Sequence, residues 1–224
     1  MLRSDMHAHW LPGIDDGSPD MESSLEMIRG FKKLGYEKLI ASPHVMTDFY
    51  PNTSQEIMTK LEEVKSAVRE AEIEIELGAA AEYLMDETFE KRIEDEPLLT
   101  FGDRHVLVEM SFYQPYPRWR EVIFAMQLHG YRPVLAHPER YPYWDLKEFL
   151  QIREVGAVLQ LNLLSLCGYY GKVCRDKANK LLQLDLEYFL GSDMHHMRHF
   201  DKLESQWREL GKTLNNKKML NHAL

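Results

Sequence analysis

Seven short apolar runs alternate with amphipathic segments along this chain, and this alternation is the strongest constraint on its fold. In residues 19–34 the apolar side chains recur at steps of three and four, which is the spacing of one helix face. Residues 38–42 then form a short apolar run that ends in Pro43 and His44. Because strand–helix–strand units place consecutive strands in parallel, the repeated alternation predicts an α/β fold with a largely parallel sheet.

The later segments follow the same pattern. Further helices are predicted at residues 52–71, with Ser54 as a possible N-cap, and at 86–94, 118–129, 146–155 and 172–184. Further strands are predicted at residues 73–81, 106–110, 133–136, 157–163 and 188–192. No linker or low-complexity segment interrupts this order, so residues 1–224 are expected to form a single domain.

The beginning of the chain carries a histidine pattern that is typical of a metal site. His7 and His9 lie two residues apart on the first predicted strand, so both imidazoles project from the same face. The following turn carries Asp15 and Asp16, whose carboxylates can fold back over the end of that strand. Imidazole and carboxylate groups are common ligands of divalent metals. The first strand and its loop are therefore predicted to form one wall of a metal site.

Nearly every later strand also ends in a side chain that can bind a metal. In a parallel barrel these strand ends gather on one face, where the active sites of such folds lie, so their distribution favours a barrel over an open sheet. So many mixed ligands exceed the needs of one ion and suggest two or three ions, which would clamp phosphate oxygens and activate water. The candidate ligands are His7, His9, Asp16, His44, Glu82, Glu109, His137, Asp193 and His195.

Each candidate also has an ordinary structural explanation when it is considered alone. A histidine at a strand end is more often structural than a metal ligand, and Glu109 could pair with an arginine. Asp15 and Asp16 are residues that turns commonly use. Arg140 and Arg198 each lie three residues after a candidate histidine, where a guanidinium could bind phosphate or form a salt bridge. The joint placement of the candidates after successive strands is what favours a metal centre.

The other histidines and a group of loop aromatics receive no catalytic role. The histidines assigned to the surface or to helices are His105, His129, His196, His199 and His222. Most of the loop aromatics are expected to pack against the fold, although an apolar rim for an aromatic leaving group and an oligomer contact stay open as alternatives. These aromatics are Phe112, Tyr113, Tyr116, Trp119, Tyr141, Tyr143 and Trp144.

Composition and charge exclude several classes of protein. Hydrophobic and charged residues make up 44% and 28% of the 224 residues, which is typical of a globular protein and not of a disordered one. The net charge of −9 argues against a nucleic-acid backbone as the default partner. No apolar run approaches the roughly 18 residues that span a bilayer, and the first residues lack a secretory apolar segment. A cytoplasmic location is therefore expected.

The two cysteines do not indicate disulfide or thiol chemistry. Cys167 and Cys174 are too few for a disulfide framework. A cysteine-based phosphatase needs an arginine six residues after its nucleophile, but Val173 and Lys180 occupy those two positions. Phosphoryl transfer through a thiol is therefore disfavoured.

Taken together, several segments resemble the PHP (polymerase and histidinol phosphatase) superfamily. Within it, the chain is similar to the bacterial metal-dependent protein-tyrosine phosphatases of the CpsB/YwqE type, which are encoded with capsule and exopolysaccharide genes. Amidohydrolases share the opening His-x-His, so the later segments make the match specific. The matching segments are residues 5–9, 13–17, 42–44, the strand end at Glu82, and residues 108–111, 136–141 and 191–195.

This resemblance implies a distorted (βα)7 TIM-like barrel, the PHP fold, with three divalent metal ions. Manganese is the metal that the family suggests, with iron or zinc as alternatives. The implied ligands are His7, His9, Glu82 and Asp193 for the first ion; Glu82, Glu109 and His137 for the second; and Asp16, His44 and His195 for the third. Arg140 and Arg198 would bind the phosphate.

The resemblance also implies hydrolysis of phosphotyrosine monoesters by a metal-bound hydroxide, without a covalent enzyme intermediate. A tyrosyl leaving group has a pKa of about 10, so no general acid is assigned. The implied substrate is a phosphotyrosyl protein, namely the tail of a bacterial tyrosine kinase of capsule or exopolysaccharide synthesis. Two alternatives stay open: a small-molecule phosphatase of the histidinol-phosphate type and a non-catalytic metal-binding scaffold. No nucleic-acid partner or membrane insertion is expected, and the oligomeric state is left open.

Overall fold

The structure is a computed structural model that describes residues 2–184, 186–215 and 217–224. Its strands are β1 Ser4–Ala8, β2 Lys38–Ala41, β3 His44–Val45, β4 Glu76–Ala79, β5 Glu82–Leu84, β6 His105–Glu109, β7 Arg132–Ala136, β8 Val158–Asn162 and β9 Tyr188–Gly191. Its α-helices are α1 Met21–Lys33, α2 Ser54–Glu70, α3 Glu87–Asp95, α4 Trp119–Leu128, α5 Leu146–Glu154, α6 Leu163–Leu166, α7 Gly171–Gln183 and α8 Met197–Leu214. Two 3-10 helices span Pro138–Arg140 and Leu220–Ala223.

The strands form two sheets in which all pairings between named strands are parallel. One sheet has the order β1-β2-β4, and the other has the order β3-β5-β6-β7-β8-β9. The α/β fold with parallel sheets that the alternation predicts is therefore confirmed.

Short breaks end two of the seven predicted strands, and a further short strand lies beyond each break. β2 and β3 are separated by Ser42 and Pro43, and the facing β4 and β5 are separated by Ala80 and Ala81. Backbone hydrogen bonds continue across the breaks, from the Ala80 amide to the Ala41 carbonyl and from the Glu82 amide to the Pro43 carbonyl. The nine strands that the structure describes therefore occupy seven positions in the predicted order.

Hydrogen bonds also join the two ends of this order. The Asp193 amide, just after β9, donates to the His7 carbonyl of β1 at 2.7 Å. The His9 amide donates to the Met194 carbonyl at 2.9 Å. The first and last strands therefore meet at the ends that carry His7, His9 and Asp193.

The apolar core has two parts. The larger cluster lies between strands and helices, and a smaller cluster collects side chains from β1, β2, β6, β7 and β9. Leu107 belongs to the smaller cluster and lies two residues before Glu109 on β6, so both side chains share one strand face. Phe189 on β9 belongs to the same cluster. Apolar packing therefore lies on the face of β6 that carries Glu109 at its carboxyl end.

Three local predictions need correction. Thr53, not Ser54, caps α2, because its hydroxyl accepts from the Glu56 amide while the Glu56 carboxylate accepts from the Thr53 amide. The strand predicted from residue 73 begins only at Glu76 in β4. Helix α8 is absent from the predicted elements, although Phe200, Leu203, Leu210 and Leu214 follow a helical spacing and are buried.

Two further expectations concern the chain as a whole. None of the helices in the described ranges combines the length and apolar character required to cross a membrane. The single-domain organisation of residues 1–224 stays a prediction.

Close packing of α8 against α1 predicts the effect of a mutation at Gly30. A methyl group at this position would lie 2.7 Å from the ring of the buried Phe200. Alanine normally stabilises a helix interior relative to glycine, but here overpacking should reverse the sign. We expect Gly30→Ala to lower the free energy of unfolding in urea by about 1–3 kcal/mol.

The second half of this test is a double-mutant cycle with Phe200→Leu. The leucine variant removes part of the ring, so Gly30→Ala should be less destabilising in that background. A Gly30→Ala protein that is more stable than the wild type would contradict the observed contact.

Candidate metal centre

The carboxyl ends of the strands surround one cavity of about 280 Å³. Its wall is built from the loop after β1, the start of β3, the ends of β6 and β7 with the 3-10 helix that follows β7, the segment between α6 and α7, and the segment from β9 into the first turn of α8. The lining residues are Asp16, His44, Glu109, Phe112, His137, Arg140, Tyr170, Asp193, His195, His196 and His199. The sequence prediction that the strand ends gather on one face therefore agrees with where the structure places them.

A first group of possible ligands is buried and comprises His7, His9, Glu82 and Asp193, of which Asp193 lines the cavity. His7 Nε2 lies 3.1 Å from Glu82 Oε2 and 3.4 Å from Asp193 Oδ1. His9 Nε2 lies 3.6 Å and 3.4 Å from the same two oxygens. Two imidazoles and two carboxylates thus point their ligand atoms at one small volume.

A second group lies nearer the mouth of the cavity and comprises His9, Asp16, His44 and His195. Asp16 Oδ1 lies 3.5 Å from both His44 Nε2 and His195 Nε2. The Asp16 side chain is 55% exposed, whereas the other three are largely or fully buried. Asp16 is therefore the most solvent-exposed candidate ligand of this group.

A third group comprises His44, Glu82 and Glu109. His44 Nδ1 lies 3.1 Å from Glu82 Oε2 and 3.0 Å from Glu109 Oε1. His137, which the resemblance places with these two glutamates, has its Nε2 atom 3.0 Å from Glu82 and 3.9 Å from Glu109. All the candidate ligands thus lie near one another, but two compact groups differ from the implied sets. His9 is added to the group of Asp16, His44 and His195, and His44 takes the place of His137 beside Glu82 and Glu109.

The donor atoms fit divalent cations. Bonds of about 2.0–2.1 Å at tetrahedral or octahedral angles would place ligand atoms roughly 2.8–3.4 Å apart, close to most of the separations above. Buried polar atoms without a partner are costly, so a cluster of them indicates a missing ligand. The buried atoms at this site without a hydrogen-bond partner are His7 Nε2, His9 Nε2, His44 Nδ1, Glu82 Oε2, Glu109 Oε1 and His137 Nδ1.

Three carboxylates of the cluster, those of Glu82, Asp193 and Asp16, have lowered pKa values. Burial alone would raise the pKa values of Glu82 and Asp193, but neighbouring histidines, with His7 as the largest contributor, hold both pKa values well below the usual range. A hydrogen bond from His195 lowers the pKa of Asp16 to about 2. Burial alone would lower the pKa values of His7, His9 and His44, but the neighbouring carboxylates raise them, so a cation that binds here would displace protons from these imidazoles.

Arg140 supplies the positive charge at the same cavity. Its Nη1 atom donates to Asp193 Oδ2 at 2.5 Å. The guanidinium also lies over two aromatic rings, 4.7 Å from the centre of Phe112 and 4.2 Å from that of Tyr170. Burial opposes its charge, yet Asp193 raises the pKa of Arg140, so the group stays cationic. An oriented, charged guanidinium beside a metal cluster is suited to binding phosphate.

The structure places Arg198 differently. Its side chain is exposed on α8, and it is not among the residues that line the cavity. His199 lines the cavity instead and is buried in α8, so its predicted helical position agrees with the structure, whereas a surface position does not. The phosphate-binding role of Arg198 stays a prediction, and its exposed position outside the cavity lining indicates a smaller contribution than that of Arg140.

Two candidate ligands have an unusual backbone. His137 and Asp193 have φ angles of 32° and 53°, in the left-handed region that non-glycine residues rarely adopt. Each such residue costs on the order of 1–3 kcal/mol and persists where the surrounding structure constrains it. Strain of this kind clusters at functional sites, so its presence at two strand ends supports a role for this cavity.

Several residues that contact the candidate ligands were not singled out from the sequence. Asp15, considered there only as a turn or wall residue, accepts a hydrogen bond from His9 Nδ1 at 2.7 Å and another from the His44 amide. Gln160 and Asn162 on β8 contact His7 and Asp193. The sequence feature that could have identified Gln160 and Asn162 is their spacing: two amides lie two residues apart in the otherwise apolar run Val-Leu-Gln-Leu-Asn.

Five of the seven loop aromatics pack against the apolar core, as expected from the sequence, and two of these, Tyr116 and Tyr143, are partly buried. Trp119, Tyr141 and Trp144 are buried and pack against the fold. Phe112 is 39% exposed and lines the cavity, whereas Tyr113 is 94% exposed and does not. Phe112 is therefore the aromatic of this group that borders the candidate site.

Comparison with known proteins agrees with this arrangement. The family described as capsular polysaccharide synthesis, CpsB/CapC, matches residues 3–220. The tyrosine-protein phosphatase YwqE of Bacillus subtilis is 30% identical over 200 residues, covering 87% of this chain and 78% of YwqE. The tyrosine-protein phosphatase CpsB of Streptococcus pneumoniae is 24% identical over 203 residues, covering 86% of this chain and 83% of CpsB.

Solved structures show the same relationship. A crystal structure from the work on YwqE of Bacillus subtilis and CpsB of Streptococcus pneumoniae, described as metal-dependent tyrosine phosphatases, has a TM-score of 0.82 at 28% identity and covers 93% of this chain and 87% of its own. The lactonase Lmo2620 of Listeria monocytogenes, at 13% identity and a TM-score of 0.58 over 99% of this chain and 90% of its own, shares the fold alone. The resemblance inferred from the sequence segments is confirmed: this chain belongs to the CpsB/CapC family of capsular polysaccharide synthesis proteins.

Proposed function

We propose that this chain is a metal-dependent protein-tyrosine phosphatase that hydrolyses phosphotyrosine monoesters. The observation that carries the proposal is the cluster of histidine and carboxylate ligands at the strand ends, with the oriented Arg140 beside it. Similarity to proteins named tyrosine-protein phosphatases supports the choice of substrate. The site gives no reason to assign phosphoryl transfer to a cysteine, since burial raises the pKa of the Cys167 thiol to about 11.

We propose that the cluster holds three divalent cations. The nine ligands predicted from the sequence would hold them, and Glu82, which belongs to two of the compact groups, would bridge two ions. Manganese is our expected metal, with iron or zinc as alternatives, because mixed imidazole and carboxylate sites suit several divalent ions. When bound, such cations neutralise phosphate oxygens and lower the pKa of water.

The residues of this chain would bind and orient the substrate. Arg140 lines the cavity, so its free N–H groups are placed to bind two phosphate oxygens. Asp193, Phe112 and Tyr170 hold its guanidinium in one orientation, which reduces the reorganisation needed when charge develops on the phosphate. Because Phe112 is partly exposed at the cavity, its ring offers an apolar surface to an aromatic leaving group.

The physiological partner is part of the proposal. We propose a phosphotyrosyl protein as substrate, and specifically the tail of a bacterial tyrosine kinase of capsule or exopolysaccharide synthesis. The net charge of −9 offers no general attraction to a phosphorylated peptide, so recognition would depend on the local charge of Arg140 and the bound cations. The cytoplasmic location stays a prediction.

The substrate class can be tested directly. We expect manganese-reconstituted protein to release phosphate from a phosphotyrosyl peptide faster than from histidinol phosphate, and a chelator to abolish both activities. Preference for histidinol phosphate would retain the site and contradict the substrate. Absence of activity on both substrates would favour a non-catalytic metal-binding role.

Replacement of one ligand tests the cluster. Asp193→Asn should reduce kcat by about 10³-fold or more, because it removes a charge shared by His7 and His9, and should also reduce the bound manganese measured by mass spectrometry. Asp201→Asn, on an exposed position of α8, is a matched control that should leave both quantities unchanged. Full activity and full metal content in the Asp193→Asn variant would refute the ligand assignment.

The two arginines can be separated by substitution. Arg140→Ala should lower kcat/KM by about 10²–10³-fold while the manganese content is retained, since the guanidinium is proposed to contact phosphate. Arg198→Ala should have less than about a tenfold effect, because Arg198 lies outside the cavity lining. Loss of metal from the Arg140→Ala variant would show that Arg140 serves mainly to hold Asp193, and equal effects of the two substitutions would contradict their different placement.

A further inference from the structure

Strand β8 differs from the other six strand positions. In the part of the chain that the structure describes, the other positions each carry a proposed ligand at or just after the carboxyl end, whereas β8 carries none. Its buried polar side chains are instead two amides, Gln160 and Asn162, each with no exposed surface. A buried amide is costly unless all its hydrogen bonds are made, so the partners of these two side chains are informative.

The orientation of the Gln160 amide follows from two backbone groups. The His137 amide donates to one terminal atom of Gln160 at 3.2 Å, so that atom must be the oxygen, Oε1. The Leu161 carbonyl accepts from the other terminal atom at 2.8 Å, so that atom must be the nitrogen, Nε2. Neither backbone group can exchange its role, and the amide therefore has one allowed orientation.

This orientation determines where His7 carries its proton. Gln160 Oε1 lies 2.8 Å from His7 Nδ1, and an amide oxygen can only accept, so Nδ1 must donate. In the neutral imidazole the lone pair is then on Nε2, the atom that faces Glu82 Oε2 and Asp193 Oδ1. The same oxygen of Gln160 also contacts the His137 backbone, so one side chain links two candidate ligands.

Asn162 has an equivalent relation to Asp193. The Leu164 amide donates to Asn162 Oδ1 at 2.8 Å, which leaves Nδ2 as the donor to Asp193 Oδ2 at 2.9 Å. The backbone amide of Asn162 donates to Glu139 at 3.0 Å, which holds the end of β8 against the 3-10 helix. Asp193 Oδ2 is thereby engaged by Asn162 and Arg140, while Oδ1 faces His7 and His9.

Close packing at Gly191 keeps these groups together. A Cβ atom at Gly191 would lie 2.5 Å from His7 Cβ and 3.0 Å from Gln160 Nε2. Only glycine leaves the space in which β9 passes both side chains. The contact between Gln160 and His7 is therefore supported by the neighbouring strand as well as by its own hydrogen bonds.

We propose that Gln160 and Asn162 are positioning residues of the metal centre: Gln160 keeps the His7 proton on Nδ1, and Asn162 keeps Asp193 Oδ1 turned toward the ions. Hydrogen bonds that fix the tautomer and orientation of metal ligands typically change metal affinity by 10–100-fold when they are removed. The inference rests on the proposed metal centre but not on the identity of the substrate.

Manganese affinity of the apoprotein is the first test. Gln160→Met retains the length of the side chain but removes the acceptor, so the manganese dissociation constant measured by calorimetry should rise about 10–100-fold. Gln160→Glu retains an acceptor for His7 and should lie closer to the wild type. Asn162→Leu should also weaken manganese binding, because Asp193 Oδ2 loses a donor.

Asn221 provides a matched control at a distance from the cavity. It is a buried amide that donates to the Ser4 and Leu190 carbonyls and accepts from the Leu190 amide. Asn221→Leu should lower the free energy of unfolding without changing manganese affinity in the folded protein. Equal manganese affinities of Gln160→Met and wild type, or equal losses in Gln160→Met and Asn221→Leu, would overturn the proposal.

A spectroscopic measurement on the wild type needs no variant. In zinc-loaded protein, correlation of the imidazole ¹⁵N and ¹H signals should show His7 with a slowly exchanging proton on Nδ1. A His7 proton on Nε2 would contradict the inference even if every Gln160 variant failed to fold. If the wild type releases no phosphate from phosphotyrosyl peptides while the variants show the expected differences in manganese affinity, the proposed function is refuted and this inference is retained.

Discussion

The rest of the site depends on one buried carboxylate, Glu82. Its two oxygens lie 3.0–3.1 Å from nitrogens of His7, His44 and His137, which come from three different strand positions. A charged carboxylate without exposed surface costs several kcal/mol unless it has cations or donors around it. The histidines hold its pKa low, and divalent cations would complete the compensation. Parallel strands are what allow such distant residues to share one carboxylate.

Hydrogen-bond acceptors around the cluster then orient three of its histidine side chains. Asp15 accepts from His9 Nδ1, Gln160 accepts from His7 Nδ1, and the Asp193 carbonyl accepts from His195 Nδ1. In all three histidines the other nitrogen faces the cluster. A metal centre of this kind is defined by the acceptors behind its ligands as much as by the ligands themselves. The fold alone does not determine the reaction, so these side chains carry the functional argument.

Much of this arrangement could be predicted from the sequence because its signals are local. The His-x-His spacing and the residues that follow apolar runs need only the two-residue period of strands and the rule that parallel strand ends gather together. The partners of Gln160 and Asn162 could not be predicted in this way. Gln160 meets His7 only because β9 brings β1 near β8, a contact between residues 153 positions apart. Likewise, Arg198 follows His195 by three residues, just as Arg140 follows His137. Arg198 nevertheless lies on the exposed surface of α8, and sequence spacing alone cannot show whether its side chain faces the cavity or solvent.

The most direct test of the account is anomalous diffraction from crystals of the manganese-loaded protein. The account predicts three peaks inside the cluster, one of them between the imidazoles of His7 and His9 and the carboxylates of Glu82 and Asp193. A crystal in which manganese binds elsewhere, while these four side chains keep their positions without an ion, would contradict it.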